Sequence, residues 1–365
     1  MGNDTQWEVT YFKVETITSD SLYANGRMQV PVIVSIKAIE KGTTQRYTLQ
    51  DADLSKIELI DYDDTASALS DGWSYTDQKN GLFANSLIAS AATVNAAIRA
   101  VEFSSRTALD PVFQVEQPQP QITARTDDGP QSKKYWVCTT KVESKRVAAR
   151  VKQPDGTTIT THGSKFDSHV TLTGKTPVVY TTDNVHFVRE DTAHGSYPYD
   201  WESVTGNWDK GYADWDQDNY YVSSNVHEFV KADIHDYDTT GHDDSRLKNC
   251  YAYCAPDNKN LKLSFIWDFG TETTKTAGLY QEATISDWGC NCGRKAYAYR
   301  DIKVNQKSNA LCLTRLAMDF PDEIWGSKWS NNDCGFTLYD MYGNTGKFYA
   351  GFTDDHNLVT IRNAN

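Results

Sequence analysis

Apolar and polar residues alternate without a break across one stretch near the start of the chain. Met28, Val30, Val32, Val34, Ile36 and Ala38 occupy every second position, which is the period of a strand with one buried face. Asn25-Gly26 before this run and Lys41-Gly42 after it read as turns. Pro31 lacks an N–H, so the pattern predicts an edge strand or a bulge there. Shorter alternations predict strands over Gln45–Leu49, Lys56–Asp61 and Thr107–Val115. Between the last two, Leu87, Ala91, Val94, Ile98 and Val101 recur at helical spacing, and Leu82–Phe103 is expected to form a short helix or a long loop.

Gln117-Pro-Gln-Pro120 has the composition of an extended linker. Short strands with turns between them are predicted beyond it, at Lys134–Thr140, Arg146–Gln153, Thr157–Thr161, Ser168–Thr173 and Val178–Val188. Pro154-Asp-Gly156 is a hairpin turn, with Pro presetting φ and Gly accepting a positive one. From about His194 the composition shifts: residues 193–365 carry 25 acidic and 16 basic side chains and seven of the ten tryptophans. Strands are predicted there at Leu261–Phe269, Ala296–Val304, Ala310–Phe320, Gly335–Asp340 and Lys347–Phe352. The expected architecture is all-β: two immunoglobulin-like β-sandwich modules at 1–116 and 117–192, then a larger loop-rich β domain at 193–365.

Composition supports strands, because Thr, Val and Tyr are abundant among the 365 residues. A formal charge of −13 argues against nucleic acid as a partner, since phosphates call for clustered Lys and Arg. No apolar run is long enough for a membrane-spanning helix. The first residues lack the basic and apolar regions of a secretory signal, and Gln6 stands where a myristoylation motif wants Ser or Thr. An extracellular or surface location reached without such a signal is expected, with the cytoplasm as the alternative.

The stretch Leu22-Tyr-Ala-Asn-Gly-Arg-Met-Gln-Val-Pro-Val-Ile-Val-Ser-Ile-Lys-Ala38 resembles the opening strand of bacterial immunoglobulin-like modules of the invasin and intimin type. The resemblance covers about seventeen residues and implies a sandwich fold and a surface or secreted setting. It brings no functional residues, and nothing after His194 shares in it.

Candidate chemistry concentrates between Asp200 and Asp244, where twelve acidic residues face two lysines. Asp214, Asp216 and Asp218 alternate as hard oxygen ligands do in a Ca²⁺ loop, and Asp236 and Asp238 begin a second acidic loop. Both loops lack the terminal Glu of an EF-hand, so solvated acidic loops are the plainer account. Tyr199, Trp201, Trp208, Trp215, Tyr220 and Tyr221 offer aromatic faces for a sugar or a protein partner, or simply core. Cys250, Cys254, Cys290, Cys292, Cys312 and Cys334 fit disulfides, a zinc site drawn from the first four, or buried thiols. His227, His235 and His242 run through the acidic segment and suit a transition metal or a surface.

No nucleophile elbow, phosphate loop or dinucleotide motif is present. The carboxylates Asp268, Glu272 and Glu282 are the candidates for a glycosidase pair. The leading expectation is a non-enzymatic surface, secreted or particle-associated protein with a C-terminal recognition domain, binding glycan or assembling with itself. A β-rich secreted toxin and a carbohydrate-active enzyme are the alternatives.

Overall fold

The computed structural model describes residues 6–87, 129–202, 208–235, 250–257, 259–270, 274–287, 290–321 and 333–364. Strands make up almost all the regular structure, in two compact units, Met1–Pro177 and Val178–Asn365.

The first unit is a β-sandwich of two five-stranded sheets. One contains β1 (Trp7–Glu15), β3 (Val30–Glu40), β4 (Arg46–Tyr47), β6 (Trp73–Thr76) and β7 (Gln131–Thr139). Its order is β1-β3-β7-β6, with β4 also on β3. The other contains β2 (Ser21–Tyr23), β5 (Ile57–Asp61), β8 (Ser144–Lys152), β9 (Thr158–Thr160) and β10 (Val170–Lys175). Its order is β2-β10-β8-β5, with β9 on β8. A single turn of helix, α1 (Asp51–Leu54), precedes β5.

The predicted period-two strand is β3, and its alternating residues Val30, Val32, Val34, Ile36 and Ala38 are all but inaccessible. Contrary to the edge-strand expectation, β3 is central, between β1 and β7. Pro31 is tolerated because it lies opposite Trp136 at the start of β3, before pairing with β1 begins at Ile33. Gly156 takes φ +88° in the β8–β9 turn, as the Pro-Asp-Gly signal requires.

The division at residue 116 does not survive in this architecture. Strand β7 pairs with β3 and β6, and β8 pairs with β5. Segments from both sides of the expected linker therefore share each sheet, and the unit ends at Pro177 instead of 192. Thr107–Val115, Gln117–Pro120 and most of Leu82–Phe103 lie outside the described residues.

The second unit joins a five-stranded and a seven-stranded sheet. The smaller holds β11 (Val179–Tyr180), β14 (Phe229–Ile234), β20 (Cys334–Asp340), β21 (Thr345–Phe352) and β22 (Val359–Asn363). The larger holds β12 (His186–Glu202), β13 (Trp208–Ser223), β15 (Cys250–Cys254), β16 (Asn260–Ile266), β17 (Thr274–Asp287), β18 (Cys290–Asn305) and β19 (Leu311–Asp319). Its order is β15-β16-β19-β13-β12-β18-β17.

Around β19 the larger sheet is covered on both faces, and eight of the nine residues of that strand are buried. On one face, Tyr220, Val222, Tyr251, Ile266, Leu311 and Leu313 meet Phe229, Cys334, Phe336, Leu338 and Phe348 of the smaller sheet. On the other face, Tyr221, Leu261, Leu263, Phe265, Cys312, Leu316 and Met318 form a second core with Ile302 and Val304 of β18. In strand order β18 is three strands away from β19, so the sheet curls until β18 covers its own inner face. The Tyr221 hydroxyl donates to the Asn305 carbonyl at 2.7 Å, and the Lys303 N–H donates to Gln217 Oε1 at 3.3 Å, fastening the curl.

Candidate functional site

The smaller sheet covers only part of the outer face of the larger one. Where the cover ends, side chains on that face change from apolar to polar. The alternation of β13 puts Asp214, Asp216 and Asp218 on the same side as Tyr220 and Val222. The alternation of β19 likewise puts Arg315, Ala317 and Asp319 on the side of Leu311 and Leu313. These positions align across the sheet. Ser196, Asp214, Asp319 and Asn260 fall in or beside one cross-strand row. His194, Asp216, Ala317, Lys262 and Tyr253 form the next, and Asp218, Arg315 and Ser264 the third.

The rows floor a cleft of about 860 Å³, with Asp355 and Asn357 of the β21–β22 connection on its rim. The floor is held by charge pairing. Arg315, 6% exposed, donates from Nη1 to Asp216 at 2.6 Å and to Asp218 at 3.1 Å. Asp218, 1% exposed, also receives Arg189 Nη2 at 2.9 and 3.0 Å. Asp218 is thus held between two guanidinium groups in charge-assisted bonds.

Lys262 donates to Asn357 Oδ1 at 2.7 Å, and its ammonium is held below the usual lysine range by burial and then by repulsion from Arg315. Asp355 is held below the usual carboxylate range by the Thr353 hydroxyl at 2.6 Å and the Asn357 N–H at 3.1 Å. Asn260 donates from Nδ2 to Asp319, leaving its buried Oδ1 without a donor among the described residues. The His356 ring stacks on Tyr253, centroids 3.6 Å apart. The cleft thus offers carboxylates, carboxamides, an ammonium and a guanidinium at fixed spacing, about 4.8 Å between strands and about 6.6 Å along each.

This arrangement corrects the Ca²⁺ expectation for Asp214, Asp216 and Asp218. They share one face of an extended strand but stand about 6.6 Å apart along it, and two of the three are engaged by arginine; a Ca²⁺ loop wraps its ligands around one point. No cluster of three or more His, Cys, Asp or Glu able to hold a metal occurs among the described residues. Asp236, Asp238 and His242 lie outside the described residues. His227 packs edge-on against Tyr342, and His235 Nε2 is 3.0 Å from the Thr337 hydroxyl.

Three of the four expected binding aromatics whose side chains are described are core. Tyr220 and Tyr221 are buried on opposite faces of the curled sheet. Trp215 lines the cleft but is 7% exposed, its ring covered by the Arg300 guanidinium at 3.7 Å. Tyr199 packs on Phe320, with ring centroids 4.6 Å apart. The side chains of Trp201 and Trp208 lie outside the description.

The zinc reading of the cysteines fails on strand geometry. Cys250 and Cys254 sit four residues apart on an extended strand, about 13 Å, whereas one zinc ion gathers its sulfurs within about 2.3 Å of itself. Cys250 and Cys312 lie two strands apart, about 9.6 Å, beyond disulfide reach. Cys334 belongs to the core on the other face. The described cysteines carry thiols; burial pushes Cys312 up to about 12 and Cys254 up to about 11. The side chains of Cys290 and Cys292, near the tip of the β17–β18 hairpin, lie outside the description.

Asp268, the one glycosidase candidate whose side chain is described, does not line the cleft. Asp268 follows β16 on the surface, Glu272 lies outside the described residues, and Glu282 is on β17. Sequence reading missed Asn260, Lys262, Arg315, Asp319, Asp355 and Asn357. A signal existed for two of them: Lys262 and Arg315 are single cations inside otherwise apolar strands. No protein-family model matches this chain, and no curated protein matches it.

Proposed function

We propose that the chain is a non-enzymatic β-sandwich binding protein whose C-terminal unit takes a polyhydroxylated ligand, a glycan, in the cleft on its seven-stranded sheet. The observation that carries this reading is the aligned set of polar rows. Carboxylates and carboxamides accept and donate to neighbouring hydroxyls, and a sheet keeps them at set intervals without the entropy cost of ordering loops. Asp214, Asn357, Lys262 and Tyr253 would contact the ligand, while Arg315 and Asp218 fix the floor. Asp216 and Asp218 are committed to arginine, which suits a structural floor more than proton transfer. A setting outside the cell or on a particle accords with such a ligand.

The test is a glycan array with the full chain, followed by calorimetric titration of the hits against Lys262→Ala and Asp214→Asn. Loss of a hydrogen bond to a charged group is worth about 1.5–3 kcal/mol, so each variant should bind about 10- to 100-fold more weakly. No carbohydrate bound at millimolar concentration, or binding indifferent to both variants, overturns the reading.

A further inference from the structure

We infer that β17 is an assembly edge, and that a second copy of this chain pairs with it antiparallel about a twofold axis at Gln281. This does not draw on the cleft. Among the described residues β17 closes one end of the seven-stranded sheet and pairs with β18 alone, along its whole length from Thr274 to Asp287. Its other main-chain edge is a fourteen-residue template for a further strand.

Natural sheets blunt such edges with proline, charge, bulges or short strands. Strand β17 has no proline, and its fourteen residues include three charges, Lys275, Glu282 and Asp287. The irregularity in its pairing places the extra residues on β18, between Cys290 and Arg294, so β17 itself runs on without a bulge. The outer edge of β1 shows such blunting. There the Val9 N–H donates to Gln153 Oε1 at 2.8 Å, the Val14 N–H donates to Ser168 Oγ at 3.0 Å, and the Ser168 hydroxyl returns a bond to the Val14 carbonyl at 3.1 Å. Side chains plug that edge, in the way natural sheets commonly protect an outer strand.

The sequence of β17 is complementary to its own reverse. With Gln281 opposite Gln281, Lys275 falls opposite Asp287, Ala277 opposite Ile285, and Leu279 opposite Ala283. On the alternate positions, Thr276 meets Ser286, Gly278 meets Thr284, and Tyr280 meets Glu282. Opposite charges match at Lys275–Asp287, apolar residues at two pairs and small residues at two more, Tyr280 faces Glu282, and no like charges fall directly opposite. Thirteen residues paired this way form about a dozen main-chain hydrogen bonds, in the self-complementary geometry of a twofold dimer.

Sedimentation velocity of the full chain over a concentration series should show a monomer–dimer equilibrium. Lys275→Asp sets Asp against Asp twice per dimer and should weaken it about tenfold. Adding Asp287→Lys reverses both pairs and should restore it. In a Gln281→Cys variant under mild oxidation, peptide mapping should find the 281–281 disulfide, since directly opposed residues lie about 4.5–5.5 Å apart. A monomer at 100 μM (roughly the top of the series, where a dozen hydrogen bonds should tell) overturns the inference. So does an association untouched by Lys275→Asp, or one without the 281–281 link.

Discussion

Replacing Arg315 with Met tests whether the cleft floor is held by a buried charge. Met preserves most of the volume and removes the guanidinium. Arg315 is the only described cation bonded to Asp216 and one of two bonded to Asp218. Removing one partner of a buried pair costs about 3–5 kcal/mol, mostly because the other charge is left unpaired in a poor solvent. Two features reduce that figure. Arg189 still holds Asp218, and Arg315 Nε, buried and without an acceptor among the described residues, already costs the native state something. A loss of about 2–3 kcal/mol is therefore expected, read as a lower midpoint for the second unit in urea unfolding followed by tryptophan fluorescence. The stranded carboxylate is the cause, so Asp218→Asn added to Arg315→Met should recover at least about 1 kcal/mol. If Arg315→Met costs under about 0.5 kcal/mol, or the double variant is worse than the single by the full cost of Asp218→Asn alone, the argument from an uncompensated charge is wrong.

Gly174→Ala should destabilise the first unit by about 2–3 kcal/mol, because its added carbon would lie 2.0 Å from the Lys141 carbonyl oxygen; a thermal melt of the variant checks it. Burial raises the Asp61 carboxyl, but the Lys145 ammonium at 2.8 Å and two backbone N–H groups outweigh it and leave the group below its usual range. A depressed carboxyl stabilises the fold above its unfolded pKa and loses that contribution as pH falls through the folded value. The gap in Tm between the native chain and Asp61→Asn should thus be full at pH 6 and shrink steadily below about pH 4. Iodoacetamide on the folded chain, mapped by mass spectrometry, should label the partly exposed Cys138 well before the buried Cys250 and Cys312, whose thiolates burial disfavours; equal rates for the three would contradict the buried placement.

Local periodicity was enough to determine the all-β class, and it located β3, β8, β19, β20 and β21 to within a few residues, because each has a buried face and turns at its ends. It also identified the Pro-Asp-Gly hairpin, whose backbone requirement is purely local. The β12–β13 hairpin was misread as acidic loop for a physical reason. Asp214, Asp216 and Asp218 look solvated until Arg315 arrives from a strand some hundred residues later, and only that partner lets carboxylates line a sheet. The same holds for Tyr220 and Tyr221, adjacent in sequence, which enter different cores only because the sheet curls and is covered on both sides. Strand pairing between β3 and β7, across the Pro-rich segment, decided that the first two expected modules are one unit. The sequence alone determined which residues could form strands. Which strands became neighbours, and so which charges met, was decided by long-range pairing and burial, to which a period of two carries no reference.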